Sequence, residues 1–272
     1  MFSAIFFNSQ SSLRNGWWIA IFFAVLALGL FPLLLWTQQQ NIELTPLTQA
    51  GLIFLVTGVV QLLRRESLFA VIGQPRLSRF SELFYGLLLG ALLMTLPALF
   101  LMIGGVVHYR VNPIDISMLA ETALLCFGVA AAEELMFRGF IFQRLIAGLG
   151  FVPAQLLISA YFVLTHLNNP GMSGATAWLA GANIFIASLC FGYAYWRTRS
   201  LIMPIALHFA ANWVQGSVWG FGVSGNASSG WLTPQLHDAT AWLSGGAFGL
   251  EASVPGLLGI GLLLILLARK AK

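Results

Sequence analysis

The chain has 272 residues, 58% of them hydrophobic and 8% charged, with a mean hydropathy of +0.85 and a formal net charge of +4. Soluble globular domains carry about 25% charged residues, so this composition excludes a water-soluble enzyme, and the basic residues, which sit at the ends of apolar segments, do not suggest nucleic-acid binding. Apolar runs close to the roughly 20 residues that cross a bilayer as helix exclude the weaker alternating pattern of an outer-membrane barrel. The expected fold is all-α, a single polytopic transmembrane domain over 1–272.

The runs predict about eight spans, at 17–36, 47–63, 82–107, 116–147, 153–167, 175–196, 201–220 and 254–268. The first, Trp17 to Trp36, is long for a signal peptide and lacks a small-residue cleavage site, so it reads as a retained helix. Leu68 to Phe80 reads as a short interfacial piece. The fourth span is long enough to tilt or project from the bilayer. Gly216 to Ser253, rich in Gly and Ser and free of Lys and Arg, reads as the longest external connection. Its Trp219, Trp231 and Trp242 suit an interface belt.

Charge tests this count. Arg14, Arg64, Arg65, Arg76, Arg79, Arg144, Arg197, Arg199, Arg269, Lys270 and Lys272 fall on one side of the eight-span arrangement, Arg110 alone on the other, and Arg138 inside a span. The positive-inside rule then predicts both termini in the cytoplasm. Cys126 and Cys190 both fall in apolar segments, where they read as small core residues, and no disulfide framework is indicated.

Few polar residues lie inside the spans. Glu133, Glu134 and Arg138 occur within six positions of the fourth, although each charge at mid-bilayer costs roughly 2.5–3.5 kcal/mol even on lenient insertion scales. Glu134 and Arg138 are four apart with the acid first, the better orientation for an ion pair within a helix. Glu133 is turned about 100° from Glu134 by the helical period, so the acids separate, one to the arginine and one elsewhere. His166 ends the fifth span as Phe162-Val-Leu-Thr-His166. His208 and Asn212 share one face of the seventh, four residues apart. Measured from the same side of the membrane, these groups fall within a turn or two of one another and can share a cavity between the fourth, fifth and seventh spans. A carboxylate beside a neutral imidazole can deprotonate water, and His and Asn N–H donors can stabilise an oxyanion.

Plainer explanations exist for each residue. The plain alternative for Glu134–Arg138 is a structural ion pair and for His208 and Asn212 interhelical hydrogen bonding, while Asn183 reads as an interhelical hydrogen-bonding group rather than a catalytic one. Phe162 reads as a cavity wall. Gly128 and Ala130 to Ala132 permit close helix approach in any bundle. His108 and His237 lie in external loops away from the site.

Taken together and in order, Glu133-Glu134-Leu-Met-Phe-Arg138, Phe162-Val-Leu-Thr-His166 and His208-Phe-Ala-Ala-Asn212 resemble the three motifs of the type II CAAX prenyl endopeptidases and bacteriocin-processing membrane proteins, a family of intramembrane glutamic proteases. The resemblance covers about 120–220. It implies an endopeptidase acting on a peptide or protein substrate in or at the membrane. Glu133 and His166 would activate water, His208 and Asn212 would form the oxyanion site, and Glu134, Arg138 and Phe162 would support them. Neither a cofactor nor a metal is expected: two His and a Glu could bind zinc in principle, but no His-Glu-x-x-His pair is present. The compact chain suits a bacterial inner membrane. The rival readings are a scaffold or immunity protein on the same fold, and a proton-coupled transporter, against which stands the lack of a repeat.

Overall fold

The computed structural model describes residues 3–236 and 240–269; His237, Lys270 and Lys272 lie outside the described residues. Among the described residues nine principal helices carry the fold: α1 (Asn15–Gln40), α2 (Pro46–Arg64), α3 (Arg79–Ile103), α4 (Ile116–Phe137), α5 (Phe140–Leu149), α6 (Phe151–His166), α7 (Gly174–Thr198), α8 (Ile202–Trp213) and α9 (Val254–Arg269). The stretches Asn15–Gln40, Pro46–Arg64, Arg79–Ile103, Ile116–Leu149 and Gly174–Thr198 are long and apolar enough to cross a membrane; Phe151–His166 and Val254–Arg269 are shorter apolar helices. The seventh expected span is α8, continued by one turn of π-helix at Val214–Val218. The protein is an all-α integral membrane protein.

Two of the expected spans need correction. The fourth span, expected to run unbroken over 116–147, breaks at Gly139 (φ −73°, ψ −130°) into α4 and α5. A Cβ on Gly139 would lie 2.1 Å from the carbonyl oxygen of Leu135, so the chain can turn back on α4 only where the side chain is missing. The third span ends at Ile103 rather than 107, and Val107–Val111 forms a strand, β1.

That strand pairs antiparallel with β2 (Leu232–Leu236), Tyr109 opposite Pro234. The segment 216–253 is therefore no plain surface connection: it pairs with β1, forms two short 3-10 turns and buries Phe221, Phe248, Leu250 and Ser253. Trp219 is not a free belt residue either, since its ring N–H donates to Thr95 Oγ1 (3.2 Å) and its ring lies against Tyr109. Trp231 and Trp242 are exposed. Between α2 and α3, Phe69–Ile72 forms one short helix and buries Val71.

The bundle centres on α8, which packs against α3, α4 and α7. Its contact with α3 is the closest. A Cβ at Gly90 would stand 2.2 Å from the Leu207 carbonyl oxygen, and one at Gly86 would stand 2.6 Å from Ala206 Cβ. This is the small-xxx-small device by which helices touch backbone to backbone where lipid gives no hydrophobic drive for association. Gly128 plays the same part between α4 and the start of α2, with Leu47 N 2.8 Å from where its Cβ would be. On the opposite flank of α4, α5 and α6 form a short hairpin turned at Gly150, and α6 packs on α7.

Candidate active site

The small residues preceding the acidic pair, Ala130, Ala131 and Ala132, are buried, so the last turns of α4 run through the interior. Helical phase then separates the two acids. Glu134 is fully buried: its Oε1 accepts from Arg138 Nη1 at 3.1 Å and from His208 Nδ1 at 3.0 Å. Glu133, with 27% of its side chain exposed, lines a cavity of about 930 Å³. Its Oε2 is buried without a hydrogen-bond partner and stands 3.8 Å from His208 Nε2. One imidazole thus sits between the two neighbouring glutamates.

Arg138 is fully buried and spends both ends of its guanidinium. Nη1 donates to Glu134, and Nη2 donates to the Ser188 carbonyl (3.2 Å) and hydroxyl (2.7 Å) on α7. Its planar face lies 4.8 Å from the Phe162 ring centre and 5.0 Å from that of Phe191. Phe191 also carries the His208 ring, stacked at 4.8 Å and within 11° of parallel. A charge paired, hydrogen-bonded and faced by aromatic rings tolerates low dielectric, whereas an isolated one does not. Phe162 is therefore not a wall of the cavity, as expected, but a packing surface behind it, between Arg138 and the ring of His166 4.5 Å away.

His166 closes the last turn of α6. Its Nδ1 donates to the Phe162 carbonyl oxygen at 2.7 Å, with Thr165 Oγ1 3.3 Å away. A carbonyl can only accept, so Nδ1 carries the proton, and in the neutral ring Nε2 is an acceptor. The same reasoning applies to His208. Its Nδ1 donates to Glu134, and Nε2 is the atom that looks toward Glu133. Asn212, one turn beyond His208, is buried with it. Glu133, His166, His208 and Asn212 all line the one cavity; Glu134, Arg138 and Phe162 lie behind it.

The arrangement offers an acid with an unsatisfied oxygen, two imidazoles oriented through Nδ1, and an amide donor. Among the described residues no group of three His, Cys, Asp or Glu side chains is placed to hold a metal ion.

The remaining lining comes from a segment whose chemistry the sequence hid. After Asn212 the helix loosens into the π turn, a feature frequent at functional sites, which buries Gln215, Gly216 and Ser217. Ser217 Oγ meets Thr122 Oγ1 at 2.8 Å. The chain then returns so that residues 223–229 form one wall of the cavity. Behind that wall lies Glu251, which escaped the sequence reading. Its Oε2 accepts from Ser224 N (3.1 Å) and Ser224 Oγ (2.9 Å). Burial pushes its carboxyl up to about 7, opposed by the Ser224 hydrogen bond and the charge of His208. A lone Glu within Phe-Gly-Leu-Glu-Ala, in a stretch without Lys or Arg, was the available signal. Asn183 and Cys190 are buried in α7 and His108 lies in β1, away from the cavity lining, whereas Cys126, a free thiol on α4, is part of that lining.

No curated protein and no solved structure matches the chain. Its residues 115–214 match one family model, described as type II CAAX prenyl endopeptidase Rce1-like. That interval begins at the N-cap of α4 and ends just past α8, and it contains Glu133, Glu134, Arg138, Phe162, His166, Ser188, His208 and Asn212 but neither Ser224 nor Glu251. The likeness to the type II CAAX prenyl endopeptidase Rce1-like model thus spans α4 to α8, and the wall closed by Glu251 lies outside the matched interval.

Proposed function

We propose that the protein is an intramembrane endopeptidase of the glutamic type, with Glu133 as general base. The observation that carries this reading is the contrast within the acidic pair: Glu134 is fully buried against Arg138 and His208, while Glu133 is 27% exposed and lines the cavity.

In the proposed reaction Glu133 takes a proton from a water held between it and His166 Nε2, and the water oxygen attacks the carbonyl carbon of a peptide bond. The carbonyl electron pair moves to oxygen. Asn212 Nδ2–H and, when the ring carries its second proton, His208 Nε2–H donate to that oxyanion, the kind of preorganised donation that removes the most from such a barrier. Collapse of the tetrahedral intermediate breaks the C–N bond, and the proton held by Glu133 passes to the leaving amine. A carboxylic acid and an amine result, and the sequence of steps uses no metal ion or cofactor. Glu134 and Arg138 act one layer back by fixing the tautomer and orientation of His208.

The substrate class is a peptide or protein in or at the membrane, with a prenylated C-terminal peptide as the family's namesake. The asymmetry of Lys and Arg along the sequence supports a membrane orientation with both termini in the cytoplasm.

The test is comparative proteomics of membranes bearing the wild-type protein or Glu133→Gln. Protein termini formed only with the wild type support the proposal. Full proteolysis by a folded Glu133→Gln protein overturns it, whereas partner binding or protection that survives the substitution favours a scaffold.

A further inference from the structure

An extended peptide at membrane depth has a hydrogen-bonding problem. Each backbone N–H and C=O released from a substrate helix must find a partner, because lipid supplies none. The helices lining the cavity use their own backbone groups internally. The segment from Ala227 to Ser229 does not.

It runs to Gly230 without turn, bend or helix, between two fixed points. On one side Val223 and Asn226 exchange backbone hydrogen bonds of 2.9 Å each, and Ser224 is held by Glu251. On the other, Trp231 N donates to Ser217 O (2.8 Å), Trp231 O accepts from Asn112 N (2.8 Å), and Gly230 O accepts from Asn112 Nδ2 (2.9 Å). Between these anchors the backbone groups of Ala227, Ser228 and Ser229 make no hydrogen bond among the described residues. All three residues line the cavity that holds Glu133, His208 and Asn212. Their side chains are small, and that of Ser228 is turned to the wall, its Oγ 2.9 Å from where a Cβ on Gly216 would stand.

We propose that Ala227–Ser229 is the substrate-positioning edge: the peptide to be cut adds to it as a strand, backbone to backbone, and is thereby held extended with its scissile carbonyl before Glu133. This rests on the endopeptidase reading and adds to it the means of holding the substrate. Strand addition takes affinity from main-chain hydrogen bonds and reads side chains only at alternate positions. The edge therefore selects for an unwound conformation more than for a sequence. It also gives the segment after the π turn a function that its lack of charged or nucleophilic side chains conceals.

A single-N-methyl scan of a fluorogenic farnesylated CAAX heptapeptide, read on the wild-type protein in detergent, tests the edge. Each methyl removes one substrate N–H. Strand addition predicts KM raised roughly tenfold, the worth of one hydrogen bond in a dry site, at alternate positions only, with kcat within about threefold. A scan in which KM does not alternate overturns the proposal. Cleavage of the unmethylated peptide reports separately on the endopeptidase reading. If it is not cut, anisotropy of the labelled series on Glu133→Gln protein reads the same alternation as binding. On the protein side, Ser228→Pro removes one edge N–H and should raise KM by a similar factor, while Ser228→Ala should leave it unchanged; equal KM in both variants also overturns the edge.

Discussion

The two faces of α4 differ more than any two distant parts of the molecule. Behind the helix, Glu134, Arg138, Ser188 and the rings of Phe162 and Phe191 form a closed polar knot, with both glutamate and guanidinium fully buried. In front, Glu133 is 27% exposed and faces a cavity of about 930 Å³. The residues are neighbours of identical chemistry, and a rotation of about 100° decides which one is fully buried and which meets the cavity, where it is proposed to act as base. His208 touches both, Nδ1 on the knot and Nε2 on the cavity, and is the link between them.

Substitutions on the two faces should fail in different ways. Glu133→Gln keeps the shape of the site but removes the base. Hydrolysis should fall by at least about a thousandfold, as for loss of an essential member of a catalytic unit, while the melting temperature in detergent stays within about 2 °C. A comparable loss of stability would place Glu133 in the knot. Arg138→Met leaves Glu134 as a buried, unpaired charge and should cost roughly 3–5 kcal/mol of stability, read from unfolding in mixed micelles. Adding Glu134→Gln to it should restore much of that stability but not the orientation of His208, so activity stays low. Asn212→Ala removes one oxyanion donor. A fall of about 10²–10³-fold in kcat with little change in KM is expected, and a change confined to KM would reassign Asn212 to substrate binding.

The smallest effect should appear at the rear of the cavity wall. The Glu251 carboxyl is held near 7 in the folded protein against an ordinary 4.5. Below about pH 4.5 both states hold the proton and its contribution is intact. As pH rises through 4.5 the unfolded chain releases its proton first, so that stability declines until the folded group ionises near 7. The decline amounts to something on the order of 3 kcal/mol. Glu251→Gln cannot titrate, and the difference in melting temperature between variant and wild type across pH 4.5–7 isolates the term. Parallel curves would show that Glu251 ionises as freely in the fold as outside it.

How much of this was legible follows from the kind of signal involved. The membrane helices could be read because hydropathy is local and additive: α1, α2, α7 and α9 lie within a few residues of the expected spans. The separation of Glu133 from Glu134 could be read because helical phase is local too. The break at Gly139 was hidden because glycine is common in such helices and only the approach of the Leu135 carbonyl shows why one is required there. The bond between His208 and Glu134 joins residues 74 apart and has no local trace. Segment 216–253 has neither the period of a strand nor that of a helix over most of its length, so its pairing with β1 and the burial of Glu251 depended on contacts that no window along the chain contains.

The glycines of α3 set a direction for the whole site. Because Gly86 and Gly90 bring α3 against the backbone of α8, the flank of His208 and Asn212 on that side is closed. The cavity draws its lining instead from α2, α4, α6, α8 and the returning wall, with nothing from α3, α7 or α9. The lining is thereby one-sided: α2 and α6 flank the cavity onto which Glu133 faces.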